Sequence, residues 1–115
     1  MSLRWRLETL HLASPEVLGW PSGTTIVVPA TPGKRVAVYS AAFSSANQTQ
    51  YYFASDNGFQ ISGLYYIPAA NGMPAMFEQN TNGDPWWITH ADRGLSLIVQ
   101  GGPLFGDLYY LQVLN

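Results

Sequence analysis

Hydrophobic and polar positions alternate along most of this chain, in short runs that are separated by turn residues. From Gln48 to Ala54, for example, the side chains of Thr49, Tyr51 and Phe53 alternate with those of their neighbours. This period of two is typical of β-strands. The pattern predicts about eight strands, at residues 3–12, 24–29, 35–43, 48–54, 59–67, 86–89, 95–100 and 108–114.

Turn residues divide these runs at intervals of about ten residues. The chain contains 8 prolines and 11 glycines, and the segment Asp56-Asn57-Gly58 is typical of a β-hairpin. No segment shows the apolar period of an ordinary helix. We therefore expect an all-β protein, built as a two-sheet sandwich, a jelly roll or a small barrel, and we favour a single antiparallel β-sandwich. Residues 24–115 are expected to form the sandwich, and residues 1–23 an N-terminal strand and loop.

The alternation also predicts which side chains fill the space between the two sheets. Apolar residues at every second position of a strand share one face, and that face is expected to be buried. The predicted core residues are Trp5, Leu7, Ile26, Val28, Val36, Val38, Phe53, Ile61, Leu64, Leu95, Leu97, Val99, Leu111 and Val113.

The composition of the chain limits the kinds of molecule that we expect it to bind. Charged residues make up 10% of the chain, against about 25% in an average globular domain. The net charge is −2, and the few basic residues form no patch of the kind that binds nucleic acid. The chain has no cysteine, and no apolar run approaches the ~18 residues of a membrane span. We expect a soluble protein made in the cytoplasm, with no nucleic-acid or membrane partner.

Four pairs of adjacent aromatic residues lie in predicted strands. They are Tyr51-Tyr52, Tyr65-Tyr66, Trp86-Trp87 and Tyr109-Tyr110. Neighbouring side chains in a strand point to opposite faces of the sheet, so one ring of each pair is expected in the core and its mate outside. Several large outward rings on a small domain indicate a surface that another molecule covers.

Two kinds of partner fit outward aromatic rings. Tyr and Trp are enriched in protein interfaces, and planar rings also stack on sugars in carbohydrate-binding modules. Because the pairs are spread along the whole chain, we favour a protein interface and keep carbohydrate as the alternative. The candidate interface residues are Trp5, Trp20, Tyr52, Tyr66, Trp86, Trp87 and Tyr110. The sequence leaves open which ring of each pair faces outward.

Candidate catalytic and metal-binding residues are few. His90 and Asp92 place an imidazole near a carboxylate, but no serine occupies a Gly-x-Ser-x-Gly elbow. We expect no enzymatic activity and no cofactor, with an enzyme that uses His90 as a minor alternative. The segment Asn80–Asp84 offers oxygen atoms at alternate positions but lacks the flanking acids of a calcium loop, which favours a turn.

A series of strand-and-turn motifs extends from Thr24 to the C-terminus. The motifs are Ala30-Thr31-Pro32-Gly33-Lys34-Arg35-Val36, Ser40-Ala41-Ala42, Ile61-Ser62-Gly63-Leu64-Tyr65, Ala69-Ala70-Asn71-Gly72, Gly94-Leu95-Ser96-Leu97 and Gly106-Asp107-Leu108-Tyr109-Tyr110. Together they resemble small β-sandwich proteins that are encoded by tailed bacteriophages and prophages.

This resemblance implies a virion component with a jelly-roll-like fold, of a kind that is often homotrimeric and decorates or cements a capsid. The implied partners are further copies of the chain, with a trimer favoured, and the major capsid protein or another virion protein. The implied location is the virion, after synthesis in the cytoplasm of the host bacterium. A position on the neck or tail is equally compatible with the motifs.

Residues 1–23 match no part of that pattern. Their apolar side chains, which include Trp5 and Trp20, are compatible with an arm that docks on a neighbouring subunit. An ordinary edge strand followed by a loop is an equally good interpretation.

Overall fold

The computed structural model describes residues 10–14, 19–68 and 75–115. Within these ranges the chain forms β-strands and turns, and no helix. The strands are β1 (His11–Ala13), β2 (Gly23–Val28), β3 (Lys34–Ser44), β4 (Thr49–Ser55), β5 (Tyr65–Ile67), β6 (Ala75–Phe77), β7 (Trp87–Ile88), β8 (Leu95–Gln100) and β9 (Phe105–Leu114). The prediction of an all-β protein is confirmed.

The described strands form two antiparallel sheets. In sheet 1 the order is β1-β9-β3-β6, with β7 also paired to β3, and in sheet 2 the order is β2-β8-β4-β5. The pairs β1·β9, β2·β8 and β4·β5 join the first half of the chain to the second half in reverse order. This is a long hairpin rolled into a sandwich, which is the jelly-roll arrangement. The predicted antiparallel β-sandwich is therefore confirmed.

The core lies between the two sheets and is rich in aromatic rings. Val36, Val38 and Phe43 of β3 are buried on one side, and Phe53 and Leu97 of sheet 2 on the other. The rings of Phe43 and Phe53 lie 5.8 Å apart across the sandwich. Removal of these apolar side chains from water is the main force that holds the sheets together.

A β-bulge in the middle of β3 changes the alternation of that strand. Tyr39 has no partner on β9, because Tyr110 and Tyr109 pair with the residues on either side of it. The extra residue places Val38 and Phe43 on the same face, although strict alternation predicts opposite faces. The bulge thus adds Phe43 to the core.

Two predicted core residues lie at the surface. The register of β2 shifts between Ile26 and Val28, so that Val28 is buried while Ile26 is 58% exposed. Leu64 precedes β5 in a connecting segment and is also exposed. The prediction for Ile26 and Leu64 is wrong, and Trp5 and Leu7 lie outside the described residues.

The other predicted core residues are buried or packed on the core, with two exceptions. Val28, Val36, Val38, Phe53, Leu95, Leu97 and Val99 are buried, and Ile61 packs against them. Leu111 and Val113 are half-buried, on the side of β9 that faces away from sheet 2.

Strand boundaries differ most from the prediction between residues 59 and 77. Only Tyr65–Ile67 of the predicted strand 59–67 forms a strand, while Gln60 makes an isolated bridge to Ala54. The short strand β6 was not predicted, because three residues are too few to show a period.

Candidate interaction surfaces

Each aromatic pair has one ring in or against the core and one ring facing outward. Tyr51 is buried and Tyr52 half-buried. Trp87 is 6% exposed, and its mate Trp86 is 42% exposed. The expectation that one ring of each pair lies in the core and its mate outside is confirmed for these two pairs.

The two remaining pairs divide in the same way. Tyr65 and Tyr110 pack against the core, and their mates Tyr66 and Tyr109 are exposed. Tyr110, a candidate interface residue, also lies with its ring centre 5.5 Å from that of His11. The outward ring of that pair is therefore Tyr109.

Two candidate interface residues belong to the core, which corrects their assignment. Trp20 is 5% exposed, and its backbone exchanges two hydrogen bonds with Leu104, of 2.8 and 2.9 Å. Trp87 packs on Phe53 with ring centres 4.7 Å apart. Both rings are almost completely covered by the chain's own side chains. Trp5 lies outside the described residues.

Trp86 lies at the exposed end of a cluster of rings that it forms with Phe77 and Trp87. Its indole Nε1 donates a hydrogen bond of 2.7 Å to the carbonyl oxygen of Glu78. Its ring lies 5.6 Å from Phe77 and 6.4 Å from Trp87. These contacts fix the orientation of a large ring that remains partly open to solvent.

The outward side of sheet 1 is strongly apolar, and we call it the apolar face. The strand register places Leu12 beside Tyr109 and Met76 beside Ala42. Met76 is 61% exposed. The large side chains of the apolar face are Leu12, Met76, Ile88, Phe105, Tyr109 and Leu111. The exposed apolar side chains on this side of sheet 1 make it a candidate interaction surface.

A shallow depression of about 200 Å³ lies in the apolar face. Two small residues of β3, Ser40 and Ala42, lie between Tyr109 on one side and Met76 on the other. The small side chains leave a hollow that the larger ones border.

Two carboxylates add charge to this depression. Glu78 and Asp107 both contribute to its lining. Asp107 pairs with Ala42 in the register of β9 and β3, so it lies in the middle of the sheet. The depression thus combines apolar walls with negative charge.

The outward side of sheet 2 has a different chemistry, and we call it the neutral face. The register places Gln100, Gln50 and Tyr66 in one row across three strands, and Ile98 beside Tyr52 in the next row. The side chains of the neutral face are Thr24, Ile26, Gln50, Tyr52, Tyr66, Ile98 and Gln100. None of the described residues of this face is charged.

A larger depression, of about 530 Å³, lies at the edge of the sandwich between β1 and β2. Trp20, Tyr110 and Ile26 contribute to its lining. Ser14 and Gly19, which flank the undescribed residues 15–18, also line it.

His90 is tied to Ser55 and not to Asp92. The Ser55 hydroxyl lies 2.9 Å from Nδ1 of His90 and accepts a hydrogen bond of 2.9 Å from the backbone N–H of the same residue. Ser55 is buried, so its oxygen is closed to a substrate. The geometry of a Ser-His-Asp triad is not formed by these residues.

The Asp92 carboxylate joins two loops to the C-terminal residue. It accepts hydrogen bonds of 2.6 Å from the Gly33 N–H and 2.9 Å from the Asn115 side-chain amide. These hydrogen bonds, the Asn115 bond first, lower the pKa of Asp92 from its usual value of 3.8. Because both donors are groups of the chain itself, we interpret Asp92 as a residue that stabilises the fold.

The segment Asn80–Asp84 is a turn, as its composition indicated. Asn82 Oδ1 accepts a hydrogen bond of 3.1 Å from the N–H of Asp84, and the Asn80 amide donates one of 3.1 Å to the Asp84 carbonyl. Gly83 has a φ of 83°, which a glycine adopts without strain. Asn82 Oδ1, one of the oxygens that a calcium loop would direct at an ion, is thus bonded to the turn's own backbone.

Sequence reasoning missed several residues of both faces. Met76 lies in a strand too short to predict, and Leu12 was considered only as part of a possible docking arm. Gln50 and Gln100 were overlooked because glutamines in strands carry no distinctive signal. Tyr109 belongs to a recognised aromatic pair, whereas Leu111 was predicted for the core and Phe105 lies before the predicted strand 108–114.

The described residues contain no group of three or more His, Asp or Glu side chains arranged to hold a metal ion. In the same ranges there is no helix long and apolar enough to cross a membrane. No protein-family model matches the chain, and neither curated proteins nor solved structures gave a match.

Proposed function

We propose that this chain is a non-enzymatic structural protein of a tailed-bacteriophage virion, which decorates or cements the capsid by burying surface against neighbouring subunits. The proposal rests on one observation above all, the apolar face of sheet 1. The motif resemblance of residues 24–115 supports it and supplies the virion as the location. The jelly-roll fold is compatible with such a role, although fold alone does not assign one.

The chemistry of the apolar face suits a protein partner. Aromatic residues and methionine are enriched in protein interfaces. Tyr109, Phe105 and Met76 supply side chains of these kinds. An interface that buries ~800 Å² on each partner is the ordinary size for stable association.

The depression in the apolar face gives that interface an anchor point. Glu78 and Asp107 favour a cationic end group, while Met76 and Tyr109 favour an apolar stem. Lys and Arg side chains combine the two, with a hydrocarbon stem and a charged head. The neighbouring subunit is therefore expected to insert a Lys or Arg side chain beside Tyr109, where a cation also gains from the ring.

The self-association that we favour is a trimer, on the strength of the resemblance. A ring of subunits on a capsid repeats each contact many times, and multivalency then makes modest contacts strong. We expect the chain to stabilise the particle and to catalyse no reaction.

Phage particles provide the test of this function. Particles purified from a host that carries the gene are analysed by quantitative mass spectrometry, with the wild-type chain, Tyr109→Asp or Tyr66→Asp. Wild type and Tyr66→Asp are expected in fixed copy number in the particle, whereas Tyr109→Asp is lost from it. Absence of the wild-type chain from particles, or equal incorporation of both variants, overturns the proposal.

A further inference from the structure

The neutral face carries hydrogen-bonding groups that the fold does not use. Gln50, Gln100, Tyr52 and Tyr66 make no side-chain hydrogen bond within the described part of the chain. Each Gln amide offers both donors and an acceptor, and each Tyr hydroxyl offers one of each. An uncommitted set of neutral donors and acceptors suits a ligand that is itself neutral and rich in hydroxyl groups.

The strand register places three of these groups in one row across sheet 2. Gln100, Gln50 and Tyr66 lie directly beside one another on β8, β4 and β5. Neighbouring strands are about 4.8 Å apart, so the row extends over about 10 Å. This is a suitable length for two successive sugar units of an extended chain.

One tyrosine ring belongs to that row, and a second lies beside it. Tyr66 is opposite Gln50, and Tyr52 is two residues further along the same strand as Gln50. Such diagonal neighbours are about 7–8 Å apart and within reach of one another through long side chains. Tyr66 is 52% exposed. The ring of a tyrosine gives an apolar surface for the C–H side of a sugar, and its hydroxyl gives a polar edge.

The absence of charged side chains among the described residues of the neutral face excludes several other kinds of ligand. Single-stranded nucleic acid needs cationic side chains along the backbone path as well as stacking rings, and an acidic polysaccharide needs cations too. A lipid surface needs a broad apolar area with basic flanks. None of the described residues of the neutral face carries a charge. A second copy of the chain competes with a sugar as the partner of the neutral face, but the composition of the apolar face is better suited to a protein interface.

From these observations we propose that the neutral face is a binding site for a neutral oligosaccharide, which lies across β8, β4 and β5. Tyr66 and Tyr52 stack on sugar rings, and the amides of Gln50 and Gln100 bind hydroxyl groups. This site is separate from the apolar face, and the two are expected to function independently.

A panel of neutral hexasaccharides at millimolar concentrations tests the site. Cellohexaose, maltohexaose, xylohexaose, laminarihexaose and chitohexaose are titrated into the full chain, with calorimetry and amide chemical shifts as the readouts. At least one sugar is expected to bind and to shift amides of β4, β5 and β8. Tyr66→Ala is expected to weaken that binding about tenfold, equivalent to about 1.4 kcal/mol, and Gln50→Ala to weaken it as well.

Phe59→Ala is the matched control, since it removes an exposed aromatic ring that belongs to neither face. It is expected to leave sugar affinity unchanged, and thermal unfolding verifies that each variant folds. Three results overturn the proposal: no sugar of the panel binds, Tyr66→Ala binds as well as wild type, or Phe59→Ala loses as much affinity as Tyr66→Ala. Loss of self-association in Tyr66→Lys would also overturn it, because a second copy would then occupy the face.

Discussion

The rings of Phe53 and Trp87 lie 4.7 Å apart and are tilted by 32°. Phe53 belongs to sheet 2, and Trp87 belongs to sheet 1 through its pairing with Val38. The contact therefore joins the two sheets at the centre of the sandwich. Tyr65 and Phe77 pack on the same indole, with ring centres at 5.9 and 4.9 Å.

Replacement of Trp87 by alanine is expected to destabilise the fold. Truncation of a buried aromatic side chain to alanine costs about 3–5 kcal/mol. The matched variant Trp86→Ala removes a ring that is partly open to solvent, and its expected cost is below about 2 kcal/mol. Urea unfolding of the two variants measures both values. Equal costs for the two would contradict the assignment of Trp87 to the core.

Tyr51→Phe is expected to leave the fold intact and to stabilise it slightly. The Tyr51 ring is fully buried, and its hydroxyl has no hydrogen-bond partner among the described residues. Burial, and to a lesser extent the neighbouring Tyr65, raise the pKa of Tyr51 far above its usual value of 10.0. Because the hydroxyl is desolvated without compensation, its removal is expected to add about 1 kcal/mol to the free energy of unfolding.

The comparison for this variant is Tyr52→Phe, where the hydroxyl lies on the outward side of the same strand. Its thermal midpoint is expected to equal that of wild type. A clear loss of stability in Tyr51→Phe would mean that the buried hydroxyl has a partner after all, and would contradict the account.

Acid stability is expected to depend on Asp92. Hydrogen bonds from Asn115 and Gly33 hold the pKa of Asp92 below its usual value of 3.8 in the folded chain. Its contribution to stability is therefore complete above the unfolded pKa, near 4, and is lost as the pH falls through the folded pKa. Asp92→Asn and Asn115→Ala should both flatten the dependence of unfolding free energy on pH below about 5.

Urea unfolding at a series of pH values measures this dependence. Asn57→Ala, which changes an exposed asparagine in another turn, is the control and should keep the wild-type pH profile. If Asp92→Asn loses stability with falling pH as steeply as wild type, the Asp92 hydrogen bonds do not contribute to acid stability.

The sequence predicted the fold well because alternation is a direct result of strand geometry. The long strands β3, β4 and β8 were predicted close to their observed limits, whereas β9 begins at Phe105, before its predicted start at Leu108. The predictions from the sequence fail where an extra residue breaks the alternation. The bulge at Tyr39 moves Phe43 into the core, and the shift in β2 moves Ile26 out of it. Such irregularities depend on the partner strand, which a single sequence does not reveal.

The interaction surfaces were only partly predictable. An aromatic pair guarantees that one ring faces inward, but which of Trp86 and Trp87 does so depends on the register with β3. Trp20 was assigned to an interface because its surroundings resemble a loop, yet its backbone pairs with Leu104 and carries the ring into the core. Long-range pairing of this kind decides burial.

The solution mass of the purified chain shows whether further copies of the chain cover the apolar face. Light scattering coupled to size exclusion gives this mass over a range of concentrations for wild type, Tyr109→Lys and Tyr66→Lys. We expect three times the 12.7 kDa of one chain for wild type and Tyr66→Lys, and the mass of a single chain for Tyr109→Lys. A wild-type monomer at every concentration, or dissociation by Tyr66→Lys instead of Tyr109→Lys, would overturn the proposed role of the apolar face.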